Sequence, residues 1–344
     1  MKIVKCFGRL IAASVVATLI LSLILSVYNM VPQRVENQFH NTDYCWEPNS
    51  IWLSMVEGIS YGKYDANGFN NLEVVDNPDV LIVGSSHMDA AQVPQKQSTF
   101  YYLSQMLEDR LTVYNMGTAG HTFAKLCDYL PKSLEAYKKV PKYILIETYS
   151  TVVSDTDANN ILNHTVNKTP VSNNRILKLL DRVPFFHVIF YQLDGGLIKK
   201  LSDDGAEYPS AKQDSDNIDS KKTEIDKAPY DEVFGYLEAL QKEYNTQIVI
   251  FYHPTEEFNA DGTVTFTHND TYDTFFESAI EHNIAFVDTT AEFEDMYARD
   301  HSVPHGFITG KIGEGHLNPD GHYAVAKSLY QAIAQMEEAE DANH

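Results

Sequence analysis

Two short stretches of this chain hold side chains that could do nucleophilic chemistry together. The apolar run Val80–Val83 leads straight into Gly84-Ser85-Ser86-His87, which puts the hydroxyl of Ser86 at the carboxyl edge of a buried strand. A helix starting there would offer unbonded N–H groups and the positive end of its dipole to an oxyanion. A serine hydroxyl attacks only with the help of a base, and His87, its sequence neighbour, is badly placed to reach back. The better base lies near the other end, in Gly315-His316-Leu317-Asn318-Pro319-Asp320-Gly321-His322. Asn318 before Pro319 is a helix start, because Asn caps exposed amides and Pro suits the first turn. His316 then falls in the loop ahead of the cap, where the helix end favours a neutral imidazole. His322 falls inside the helix and reads as a structural histidine. Taken alone, the serine-rich turn also suits a plain capped helix start.

The elements that must position these residues show in the apolar rhythm. Val80–Val83, Val113–Tyr114, Tyr143–Ile146, Ile248–Tyr252 and Ala285–Val287 are short and lack polar alternation, as in strands covered on both faces. Between them Ser98–Arg110, Phe123–Lys139, Tyr230–Tyr244 and Thr271–His282 carry apolar residues at three- and four-residue spacing, and Pro319–Met336 repeats the pattern. Strands alternating with helices predict a doubly wound, flavodoxin-like α/β domain with a five-stranded parallel sheet over residues 79–336. In such sheets the ligand sits beyond the carboxyl ends of the strands, near the first. Residues 151–229 interrupt the rhythm as an insertion, with a helical stretch over Asn174–Leu201 broken at Pro184 and a polar loop over Ser202–Lys227.

The ends of the chain differ in kind. Residues 1–9 form a basic flank with Lys2, Lys5 and Arg9, and residues 10–30 form an uncharged run long enough to span a bilayer. The flank predicts a single-pass cell-membrane anchor with everything after it outside the cytoplasm. A cleaved signal peptide is the alternative, though Ser26-Val27-Tyr28-Asn29-Met30 offers no small-x-small site. Residues 31–78 read as a stalk and an irregular lead-in, and residues 337–344 as a frayed acidic tail. With 48 acidic and 26 basic side chains the formal charge is −22, which argues against nucleic acid as a partner. Of three cysteines, Cys45 and Cys127 would lie outside, where a disulfide between them could persist. His301 and His305 stand four apart, but Pro304 between them argues against a helical metal pair. No metal or organic cofactor is expected.

In these motifs the chain resembles the SGNH, or GDSL-type, serine hydrolases. Val83-Gly84-Ser85-Ser86-His87 is similar to the nucleophile block, with Ser85 where an Asp is usual. Val113-Tyr114-Asn115-Met116-Gly117-Thr118-Ala119-Gly120-His121-Thr122 is similar to the second block, and His316-Leu317-Asn318-Pro319-Asp320-Gly321-His322 to the last. The resemblance implies Ser86 as nucleophile, His316 as base, and the amides of Ser86 and Gly120 as oxyanion donors. Two positions depart from the pattern. Ile146-Glu147-Thr148-Tyr149-Ser150-Thr151 lacks the oxyanion Asn of the third block, and Gly313 stands where an Asp precedes the histidine. Glu314 is the nearest acid and the expected orienter of His316, a Ser–His dyad being the alternative. His87, Ser150 and His253 are the expected substrate contacts.

The resemblance also implies the chemistry. It points to ester hydrolysis or O-acyl transfer on an acylated saccharide or similar ester of the cell envelope, with a multi-spanning membrane O-acyltransferase as a possible partner. The contrasting reading is a non-catalytic polysaccharide-binding or scaffold subunit.

Overall fold

The computed structural model describes residues 2–27, 32, 34–37, 43–54, 57–108, 110–166, 183, 185 and 225–342. Five parallel strands form its central sheet: β5 (Val80–Val83), β6 (Val113–Asn115), β7 (Tyr143–Thr148), β8 (Gln247–Tyr252) and β11 (Ala285–Asp288). Their order across the sheet is β11-β8-β7-β5-β6, so the order in which strands are added reverses beside β5. That is the doubly wound arrangement expected above, and the switch point falls between β5 and β7.

The apolar runs of β5, β6, β7 and β8 bury both of their faces, while the edge strand β11 is half-buried. Leu81, Val83, Ile144, Ile146, Ile248 and Ile250 point to one side, where they meet Leu130, Phe234, Leu237 and Phe275 from the covering helices. Val80, Ile82, Tyr143, Leu145, Val249 and Phe251 point to the other and meet Leu103, Phe293, Val325 and Leu329. Period-two side chains on a strand make this split inevitable once helices cover both faces. The helices are Phe123–Glu135, Asp155–Leu162, Ala228–Tyr244 and Tyr272–Glu281 on the first side, and Thr99–Leu107, Thr290–Asp300 and Pro319–Ala342 on the second.

The segment before the sheet is more ordered than a stalk. β2 (Tyr44–Trp46) pairs with β1 (Arg34–Glu36), and β3 (Ile51–Ser54) forms a hairpin with β4 (Ser60–Lys63). Trp46, Trp52 and Tyr64 pack together against Ala91, just after the Ser86 helix. Trp46 stacks on Tyr64 with ring centroids 5.6 Å apart. Aromatic burial of this kind, absent from an apolar-periodicity reading, fixes the segment to the domain.

The acidic tail is also held. The last helix runs on to Ala342, and on it Glu337 and Glu340 pair with Lys142 at 3.1 and 2.8 Å. Cys45 and Cys127 are free thiols buried in the core rather than a disulfide. The helix Lys2–Val27 contains Val4–Leu25, a stretch of mean hydropathy 2.2 that is long and apolar enough to cross a membrane. The expected helical stretch Asn174–Leu201 lies outside the described residues apart from positions 183 and 185, as does the expected polar loop up to residue 224.

Candidate active site

Ser86 opens the short helix Ser86–Asp89 immediately after β5. Ser85 is the cap of that helix, its Oγ accepting from the His87 amide at 3.3 Å. The loop is packed too tightly for larger residues. A Cβ on Gly84 would lie 2.4 Å from Met88 Cγ, and one on Gly117 would lie 2.2 Å from the Met88 carbonyl carbon. The second motif wraps around the first: Thr118 N–H donates to Gly84 O at 2.9 Å, and Asn115 Nδ2 donates to Met88 O at 2.8 Å. These bonds set the Ser86 hydroxyl at the edge of the sheet.

His316 lies on β13 (Ile312–Leu317), which pairs with β12 (His305–Gly306). Asn318 caps the following helix as expected, its Oδ1 accepting from the amides of Asp320 and Gly321 at 3.0 Å each. The capped turn brings His316 Nε2 within 2.8 Å of Ser86 Oγ. The opposite ring nitrogen, Nδ1, hydrogen-bonds to a carboxylate oxygen of Glu57, and the same oxygen accepts from the His316 amide at 3.3 Å. Ser86, His316 and Glu57 therefore form one hydrogen-bonded row.

Glu57 was not legible as a site residue and corrects the choice of Glu314. Glu314 is exposed and accepts from Lys311 Nζ at 2.8 Å, with the left-handed Gly313 and Gly315 on either side of it breaking the regular strand alternation. Glu57 occupies the tip of the β3–β4 hairpin, five residues closed by Ser54 and Ser60. Gly58 (φ +79°) anchors the tip by donating to Thr309 Oγ1 at 2.8 Å. Gly315 (φ +90°) leaves room for the acid, since a Cβ there would stand 2.9 Å from Glu57 Oε1. Partial burial raises the Glu57 carboxyl, but hydrogen bonds and charge from His316 outweigh it and leave the group below its ordinary value. A sequence signal existed: Ile51-Trp52-Leu53 and Ile59-Ser60-Tyr61 flank a short turn containing Gly58.

Gly120 takes a left-handed conformation, φ +82°, that suits glycine. Among the described residues its amide, like that of Ser86, bonds no protein group and is free to donate. Tyr44 OH donates to the neighbouring Ala119 carbonyl, so the N-terminal segment also braces this loop.

The three expected substrate contacts fare differently. His253 is fully buried and His87 nearly so, so neither ring lines an open groove. Tyr149 lies over them, its ring centroid 5.6 Å from His87 and 6.3 Å from His253. Burial first, then the neighbouring His253, His316 and His305, hold His87 well below the usual histidine range. Ser150 is half-buried and works locally, its Oγ accepting from the Val152 amide at 3.4 Å. In the third motif Glu147 replaces the missing Asn with a different task. Its buried carboxylate binds the Ser85 amide, Ser85 Oγ at 3.1 Å and His253 Nε2 at 3.0 Å. Asp288 is a turn cap, accepting from the Thr290 amide at 2.8 Å. His322 is structural, its Nδ1 accepting from the Thr99 amide at 3.2 Å.

No protein-family model matches the chain, and no curated protein does. Solved structures similar to it include an α/β hydrolase from the metagenome of Lake Arreo, Spain. That one is 15% identical, with 76% of this chain and 97% of the other covered at a TM-score of 0.40. A GDSL-like lipase from Parabacteroides merdae is 14% identical, covering 76% and 98% at a TM-score of 0.38. A variant of an acetylxylan esterase from Geobacillus stearothermophilus is 15% identical, covering 76% and 95% at 0.39.

Proposed function

We propose that this chain is a serine esterase or O-acyltransferase of the SGNH kind, with Ser86, His316 and Glu57 as its triad. The observation that carries this reading is the unbroken row Ser86 Oγ–His316 Nε2 and His316 Nδ1–Glu57. A carboxylate on Nδ1 keeps the proton there, so Nε2 presents its lone pair to the serine hydroxyl. Ser86 Oγ attacks the acyl carbon while its proton passes to His316 Nε2. Glu57 stabilises the imidazolium, and the free amides of Ser86 and Gly120 receive the negative charge on the former carbonyl oxygen. Collapse expels the alcohol, which takes its proton from His316. Water or a sugar hydroxyl, deprotonated by the same ring, then removes the acyl group from Ser86.

The substrate class follows from architecture and from the motif resemblance. An apolar N-terminal helix would hold the domain at an outer membrane face, within reach of acylated envelope glycans. A membrane-bound acyl donor system would suit the transferase form of the same chemistry.

The test is to incubate the detergent-solubilised full-length chain with a serine-directed phosphonate and map the adduct, alongside turnover of a small acetyl ester. Labelling of Ser86, and its loss together with turnover in Ser86→Ala, is the expected result. A folded chain that neither labels nor turns over any acetyl ester would leave a binding or scaffold role in its place.

A further inference from the structure

Behind the catalytic row lies a second group of histidines that the ester chemistry does not use. His87 lies in the short helix after β5, His253 follows β8 and His305 opens β12, so three elements converge there. Ring centroids are 4.7 Å apart for His87–His253, 5.6 Å for His253–His305 and 5.7 Å for His87–His305. One ring nitrogen from each lies within 4.8 Å of the other two. All three rings are buried.

The hydrogen bonds around this group are those of ligands waiting for an electrophile. His253 Nε2 donates to Glu147 at 3.0 Å, which leaves Nδ1 as a lone pair, and that buried atom has no partner. His305 Nδ1 donates to Glu256 at 2.6 Å, with the His305 amide on the same carboxylate at 3.0 Å, so Nε2 carries the lone pair. A carboxylate behind each imidazole, fixing its tautomer and ring angle, is the outer support that metal-binding histidines use. His87 differs: its Nδ1 accepts from the Leu317 amide at 3.2 Å, so its proton sits on Nε2.

We propose that His253, His305 and His87 bind one divalent transition-metal ion of the zinc class. His253 Nδ1 and His305 Nε2 are already in the ligating tautomer. His87 joins through Nε2 by moving its proton to Nδ1, giving up the bond from Leu317. Zn–N bonds of about 2.0–2.1 Å at a tetrahedral centre put nitrogens roughly 3.4 Å apart, so the rings close inward on the ion. Imidazole ligands suit zinc, copper and nickel, and exclude the hard, oxygen-seeking ions. The bound ion ties β5, β8 and β12 together beneath the loop that carries Ser86. The proposal stands apart from the esterase reading, because its evidence is metal content.

The experiment takes the untagged full-length chain in detergent, purified once from zinc-supplemented medium and once after chelation and titration with Zn²⁺ alone. Elemental analysis is expected to find one ion per chain, and Zn²⁺ to raise the thermal midpoint. Co²⁺ in its place is expected to give the intense visible bands of a tetrahedral site, with the three imidazoles and a water as its ligands. Binding is lost in His253→Ala and His305→Ala. In Glu256→Gln, which keeps all three rings, it weakens by about 10- to 100-fold. It is unchanged in His282→Ala, whose ring lies by Asp231 and Glu238. A wild-type chain that holds no ion in either preparation overturns the proposal. So does an ion that remains in both His253→Ala and His305→Ala.

Discussion

His316 Nδ1 meets the Glu57 carboxylate across 259 positions of sequence, while Glu314, two residues away, turns outward to Lys311. Loss of the Glu57 charge should therefore act on the reaction and not on binding. Glu57→Gln is expected to lower kcat by about 10²- to 10⁴-fold with little change in KM, as for loss of a triad orienter. Glu314→Gln, which removes only an exposed ion pair, should stay within twofold of wild type. Steady-state turnover of a small acetyl ester by both variants checks this, and an equal loss in Glu314→Gln would count against the assignment.

Restoring an acid three residues before the histidine should fail. Gly313 has φ +79°, and a Cβ there would come within 2.0 Å of Phe258 Cε2. Gly313→Asp is expected to lower the thermal midpoint without raising activity, and not to rescue Glu57→Gln. Gly315→Ala crowds Glu57 directly, with its Cβ 2.9 Å from Oε1 and the backbone at φ +90°. That variant should lose kcat more than stability. Thermal melts run beside the kinetics separate the two effects.

Ser85 should matter more than an idle neighbour of Ser86. Its Oγ caps the Ser86 helix and meets Glu147 at 3.1 Å, both in a buried setting. Ser85→Ala is expected to cost about 0.5–2 kcal/mol of stability through the lost cap. Phosphonate labelling should still reach Ser86, only more slowly. Denaturant midpoints compared with Ser86→Ala test it, because Ser86→Ala should leave stability nearly unchanged while abolishing turnover.

Acid should weaken the fold through buried neutral histidines. Burial, then the nearby His253, His316 and His305, pull His322 from the ordinary 6.5 down to about 3. The unfolded chain then binds a proton that the native chain refuses. His322's contribution is complete above pH 6.5 and is lost as pH falls toward 3, by up to about 1.4 kcal/mol per unit. His322→Asn keeps an acceptor for the Thr99 amide but does not titrate. The stability gap between wild type and His322→Asn should shrink steadily between pH 6.5 and 4. A gap that stays constant over that range would refute the assignment.

The sheet could be read in advance because its inner strands are runs of apolar residues buried on both faces, as at Tyr143–Ile146 and Ile248–Tyr252. The meeting of Ser86 and His316 could be read because Gly84 and Asn318 mark sharp strand-to-helix turns beside them. Glu57 could not, for a physical reason. Nothing in Met55-Val56-Glu57-Gly58-Ile59 marks an acid as special, and its role comes from a hairpin docked by Trp46, Trp52 and Tyr64. Aromatic packing between distant segments leaves no periodicity behind. The histidine cluster was hidden likewise: His253 and His305 look like a strand-end turn and half of a broken pair until the topology brings them together.

The three members of the proposed triad come from three widely separated stretches, with the acid ahead of the sheet and the base behind it. A chain leaving the ribosome exposes Glu57 first, Ser86 soon after, and His316 only when every strand of the central sheet has been made. Ser86 therefore stays without its proposed proton acceptor until synthesis of the chain is nearly complete. Under the proposed function, a chain cut short before residue 316 would carry the serine and the acid but no base, and the chemistry would switch on only with the fold's last segment in place.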